Sequence, residues 1–200
     1  MYYGPEIIID SGITLDGYDK EEMGIILNIP LAATNAIGST IAIFVIDNLG
    51  RRYIMLRSLP LIFLTLCLIS LSMYFSLYST DPDTINSGHI LFMISIILYL
   101  AFFSIGFSST PWTVNSEIYP IHLVGTAVSL ATATNWLSNF VVCSLFLTSM
   151  ETEGGKVYTF LILAGFAIAA FVFIYFLLPE TAGLKIKTNI RNILGKEKRE

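Results

Sequence analysis

Apolar residues run along this chain in five long blocks, at approximately 23–46, 54–78, 89–112, 125–149 and 157–178. Each block has the roughly 20 residues that a helix needs to cross a bilayer core. None contains an acid, and the only base is Arg57, one turn inside a boundary. The first twelve residues, ending Ile7-Ile8-Ile9-Asp10-Ser11-Gly12, are apolar but too short to span, and read as the end of a further helix. The pattern predicts an all-α polytopic membrane helix bundle, with five full spans plus the end of a sixth.

Composition strengthens that reading. Of 200 residues, 54% are hydrophobic and 13% charged, where a soluble domain carries about 25% charge. Mean hydropathy is +0.72. A disordered chain is excluded, and a water-soluble enzyme is a poor fit. Net charge is −4. No basic run is interleaved with aromatics, so nucleic acid is not an expected partner. Cys67 and Cys143 fall inside apolar runs without metal-ligand spacing and are expected to be buried free thiols. No cofactor or metal is expected.

The connections alternate in charge. Acids gather in the 10–22 stretch and around Asp81, Asp83, Glu151 and Glu153. Bases gather at Arg51, Arg52 and Arg57 and in a tail over 185–200. The basic side holds nine Lys and Arg residues against two on the other. The positive-inside rule therefore places the tail in the cytoplasm.

Polar residues inside the spans form stripes. Asn28, Ala32, Asn35 and Ser39 recur at helical spacing in the first span. Ser129, Thr132, Trp136, Asn139 and Cys143 do so in the fourth, with Asn135 beside them. For Ser, Thr and Ala the first expectation is close helix packing. Asn35 and Asn135 cost more to bury and are equally good candidates for function. Pro30 and Pro111 lie inside spans and can kink them. The run Ser108-Ser109-Thr110-Pro111-Trp112 puts hydroxyls, a break and an indole into one turn. An indole face with one N–H suits a sugar or cyclitol. With no charge at mid-membrane, a site here fits a neutral polyhydroxy solute better than an ion.

Three motifs lie on the predicted inner side. They are Asp47-Asn48-Leu49-Gly50-Arg51-Arg52, Pro111-Trp112-Thr113-Val114-Asn115-Ser116-Glu117-Ile118-Tyr119-Pro120, and Pro179-Glu180-Thr181-Ala182-Gly183-Leu184. At these spacings the chain resembles the C-terminal half of the sugar porter family of the major facilitator superfamily. The Pro-Trp motif and Met1-Tyr2-Tyr3-Gly4-Pro5 resemble most the inositol branch. The resemblance implies that residues 1–184 are a C-terminal six-helix transmembrane half, with family helices eight to twelve complete, and that 185–200 is a basic cytoplasmic tail. It implies substrate contacts from Asn35, Trp112, Asn135 and Trp136. It also implies a cytoplasmic gate built from Arg51, Arg52, Glu117 and Glu180. Two departures stand out. Val124, before Gly125, occupies the position of a family Arg, with His122 nearby. Ser108-Ser109 replaces a Gly-Pro pair.

The resemblance thus implies transport of a neutral sugar or polyol by alternating access, in a multi-pass protein of the plasma membrane. Its partners would be the solute, the bilayer and an N-terminal six-helix half, of which this chain would be a C-terminal or truncated complement. The alternative is a non-transporting truncated paralogue acting as a partner or regulatory subunit. A membrane enzyme is disfavoured, since the spans hold no acid, metal set or activated nucleophile.

Overall fold

The computed structural model describes residues 19–182. The expected end of a further helix at 1–12, the acidic residues up to Asp16, and the basic tail lie outside them. Every element among the described residues is helical. In chain order these are α1 (Lys20–Leu49), α2 (Arg51–Tyr78), α3 (Pro82–Phe107), α4 (Thr110–Glu117), α5 (Val124–Met150) and α6 (Glu153–Leu177). Five spans of membrane length and composition result, with α3 and α4 together forming the third. The all-helical outcome follows from the solvent. Hydrocarbon offers no hydrogen bonds, so each segment must satisfy its backbone internally.

The helices reach further than the charge-free blocks. The third span starts at Pro82 rather than near His89, because Pro82 opens the helix and Asp83 sits in its first turn. The fifth starts at Glu153 rather than Val157. The acidic loop at 81–83 accordingly shrinks to Ser79–Asp81. Pro30 lies within an unbroken α1, and Pro60 within α2. Pro111 does not kink a helix but starts one, at a position where its missing N–H costs nothing.

α2 is the central helix. Its buried Met55, Leu59, Ile62, Leu66, Ile69 and Met73 alternate at four- and three-residue steps. That is the seam of a left-handed helix pair. It packs against α3 through Phe92, Ile96 and Leu100, and against α6 through Phe160, Ala164, Ala167 and Ile174. α1 lies on α3. Close approach is achieved with small residues, as membrane helices require. A Cβ on Gly38 would sit 2.7 Å from the Cβ of Ser104, and one on Gly106 would overlap Ser58.

α5 differs from the others. Met150 is its one buried residue, and its contacts run to α6 and α4. Its hydroxyls bond their own helix: Ser129 donates to the Gly125 carbonyl at 2.8 Å and Thr132 to Val128 at 2.7 Å. Packing among the described residues therefore does not explain its polar stripe. Both cysteines are free thiols as expected, but each is only half-buried.

Candidate functional site

Two polar clusters stand out, one inside the membrane span and one at its basic end. The inner cluster joins α1 to the end of α3. The Ser104 hydroxyl donates to Asn35 Oδ1 at 2.8 Å, and Ser39 Oγ lies 3.4 Å from the same oxygen. Ser39 also pairs with Ser108 Oγ at 3.0 Å. Asn35 and Ser39 are one helical turn apart, as are Ser104 and Ser108. The two pairs form a ladder of uncharged groups across the α1–α3 contact. Ser104 is fully buried, and its single hydroxyl proton is shared between Asn35 Oδ1 and the Leu100 carbonyl, 2.6 Å away.

The ladder ends where the helix breaks. After Ser108 and Ser109 the chain restarts as α4, with Pro111 and Trp112 in its first turn. Ser109 Oγ and Thr110 Oγ1 are buried there without a hydrogen-bond partner, as is Asn28 Oδ1 on α1. Buried hydroxyls are normally paired. The break thus sets two enclosed hydroxyls next to an indole that is 44% exposed.

The expected substrate residues are placed unequally. Asn35 is tied to the α3 end, and Trp112 follows four residues after Ser108. Asn135 and Trp136 lie exposed on α5, away from the ladder, with Trp136 57% exposed. Ser104 escaped sequence reasoning, and so did the pairing of Ser39 with Ser108, which stood out only in separate runs. Their signal is the hydroxyl at each helical step facing Asn35, which becomes visible only once α1 and α3 are paired.

At the basic end Arg51, Arg52, Glu117 and Glu180 meet. The Arg51 side chain, 12% exposed, places Nη2 3.0 Å from Glu117 Oε1 and 3.0 Å from Asp47 Oδ1. Its Nη1 donates to the Ile46 carbonyl at 3.2 Å. Glu180 takes no guanidinium. Its carboxylate accepts the backbone N–H of Arg51 at 2.9 Å and of Arg52 at 3.1 Å. It also accepts those of Thr181 and Ala182. An anion thus sits on the N-terminus of α2, where the first amides lack helical partners and the helix dipole is positive. Arg52 Nη2 in turn donates to the Tyr175 carbonyl, in the last turn of α6, at 2.6 Å. Each helix end is capped by the other chain segment's charge.

Gly50 makes this possible. It is the single residue between α1 and α2, at φ 88° and ψ 151°. That region is essentially restricted to glycine. A Cβ there would lie 2.7 Å from Glu180 Oε2. The Gly-Arg-Arg run is therefore a backbone device as well as a source of charge. Val124, at the position of the family Arg, opens α5, and His122 is exposed just before it.

The family model described as "Sugar (and other) transporter" matches residues 1–190. The chain belongs to this family. Among curated relatives it is 33% identical to membrane transporter D1 of Leishmania donovani, over 94% of this chain and 32% of that protein. It is 34% identical to myo-inositol transporter 1 of Saccharomyces cerevisiae, over 80% of this chain and 28% of that protein. It is 30% identical to the facilitated trehalose transporter Tret1 of Apis mellifera ligustica, over 100% and 37%. The chain spans about a third of the length of these relatives. The fold matches a crystal structure of a double tryptophan mutant of XylE, with a TM-score of 0.75 at 21% identity, covering 96% of this chain and 38% of that one. It also matches the proton:xylose symporter XylE bound to a bromodeoxyglucose, at a TM-score of 0.71 and 22% identity, over 94% and 37%. The helices described above are thus a partial major facilitator bundle. The sugar porter membership, the inositol-like relatives and the multi-pass membrane character expected from the motifs all agree with these matches. The family is one of transporters rather than enzymes.

Proposed function

We propose that the chain forms the C-terminal half of a transporter for a neutral sugar or polyol, inositol foremost, working by alternating access. The observation that carries this is the break at Ser108–Ser109. There an uncharged polar ladder ends beside the half-exposed Trp112 indole, in a family whose model is described as sugar and other transporters. A polyol can donate and accept at every hydroxyl, and its C–H face can lie against an indole. A neutral solute also leaves no buried charge uncompensated.

A complementary six-helix half would cover α5, whose Asn135, Trp136 and Asn139 are exposed among the described residues. The solute would then lie near the midplane between the halves, with Asn35 and Trp112 on one side of the cavity and Asn135 and Trp136 on another. The basic end would face the cytoplasm. There Arg51, Arg52, Glu117 and Glu180 would brace α1, α2, α4 and α6 as one body, so that the half rocks without coming apart.

Uptake of labelled myo-inositol and hexoses by the full-length gene product tests the reading. Saturable uptake of one of them, inhibited by the unlabelled solute, is expected. Absence of uptake in a protein that reaches the membrane would favour the non-transporting alternative.

A further inference from the structure

We propose that the outer groove between α2 and α6 is a binding site for an anionic phospholipid, with Arg57 holding its phosphate. The groove encloses about 180 Å³ and is lined by Leu59, Pro60, Phe63, Ala167, Ile168 and Phe171. Leu59 and Ala167 are buried and form its floor. Pro60 and Ile168 are exposed and form its rims. The small Ala167 leaves the hollow that a larger side chain would fill. No lining residue can hydrogen-bond a solute through its side chain, so a sugar has no reason to enter. An acyl chain does.

The neighbouring surface points the same way. Between Tyr158 and Tyr175 the large exposed side chains of α6, including Leu161, Ile162, Phe166, Val172 and Phe173, are apolar. The hydroxyls that α2 and α6 carry at Ser58, Thr65, Ser70, Ser72 and Thr159 are buried, and the exposed amides Asn135 and Asn139 lie on α5. The α2–α6 side is thus the one suited to hydrocarbon.

Arg57 is the exception on that side. It is exposed, on the same face as Pro60 and one turn before it. The ion pairs at this end are made by Arg51, and no carboxylate among the described residues pairs with Arg57. Its guanidinium lies over the Tyr53 ring, 4.8 Å from the centroid. Tyr53 is one turn nearer the basic end, so the side chain is drawn toward the headgroup layer, as long cationic side chains are. A cation at this depth is costly unless an anion meets it. Phe63 lies about 9 Å further along the helix axis than Arg57. A lipid with its phosphate at Arg57 would pass its glycerol over Pro60 and lay one chain along the groove. This inference rests on membrane insertion alone, not on the transport reading.

The test is photolabelling of the full-length protein in phosphatidylcholine vesicles. The vesicles carry equal small fractions of phosphatidylglycerol or phosphatidylcholine bearing a diazirine in the acyl chain. Label is expected on the segments 59–63 and 167–171, with phosphatidylglycerol giving about five-fold more, the preference that one cation near the membrane surface produces. Arg57→Gln should abolish the excess, and Arg57→Lys should keep it. Ala167→Phe, by filling the groove, should remove label of both kinds from these segments. Equal labelling by the two lipids in the unmodified protein would overturn the proposal without recourse to any variant. So would an excess that survives Arg57→Gln.

Discussion

Replacing Gly50 with alanine should be among the most damaging single changes in this half. Two costs combine. The backbone at φ 88° and ψ 151° is strained for any residue with a Cβ, by about 1–3 kcal/mol. The new Cβ would also lie 2.7 Å from Oε2 and 2.9 Å from Cδ of Glu180, so the carboxylate must move. Moving it forfeits at least one hydrogen bond to the amides of Arg51 or Arg52. A bond to a charged group is worth about 1.5–3 kcal/mol. The expected loss is therefore about 2.5–6 kcal/mol, well beyond an ordinary surface change. Unfolding of purified protein titrated with denaturing detergent would measure it. The decisive comparison uses a Glu180→Ala background, in which the carboxylate is gone. There Gly50→Ala should cost only its backbone part, and the two changes should be clearly non-additive. Equal cost of Gly50→Ala in both backgrounds would refute the link between the glycine and the carboxylate. No cost in either would refute the backbone assignment itself.

Other expectations concern the two clusters and the topology. Ser104→Ala should cost about 0.5–1.5 kcal/mol of stability by removing one hydrogen bond, and should weaken inositol binding to the full-length protein by loosening Asn35; unchanged affinity would separate the ladder from the solute. Asn35→Ala or Asn135→Ala should weaken binding several-fold up to about tenfold, and Trp112→Ala more, read by binding and thermal stability on the same samples. A stability loss with normal affinity in the surviving protein would indicate packing instead. Glu117→Gln leaves Arg51 with the exposed Asp47 alone, and should slow transport turnover while leaving equilibrium binding close to normal; the reverse pattern would move Glu117 to the solute. Cysteines introduced at Asn48 and Asp83, at opposite ends of the bundle, should label from opposite sides of the membrane, with Asn48 cytoplasmic.

The five spans were legible because a bilayer crossing needs length and absence of charge, and both can be counted. Their ends were less so. The third span begins at Pro82, since a helix runs back to its capping residues rather than stopping where polarity rises. Proline in a span suggested a kink at Pro111, whereas its place in the first turn after the Ser109 cap marks a fresh start. The four charged residues at the basic end were identifiable from motifs, and they do converge. Their pairing was not readable, because Glu180 answers backbone amides that no side-chain pattern encodes. The Ser39–Ser108 contact bridges residues 69 apart, beyond any local signal. On α5 the periodic polar stripe was plain, but periodicity is silent on whether a face is packed or open.

The short helix after the break has a mechanical meaning. α4 is eight residues long, or about 12 Å, and it is pinned near both ends. Just before its start, Ser108 is fastened to Ser39 on α1. In its last turn, Glu117 is fastened to Arg51 at the head of α2. Trp112 projects from this strut close to the inner pin. A push on the indole therefore cannot be absorbed by bending a long flexible rod. It must either be borne by both pins or release one of them, so that occupancy at one end of the strut is felt as tension at the other.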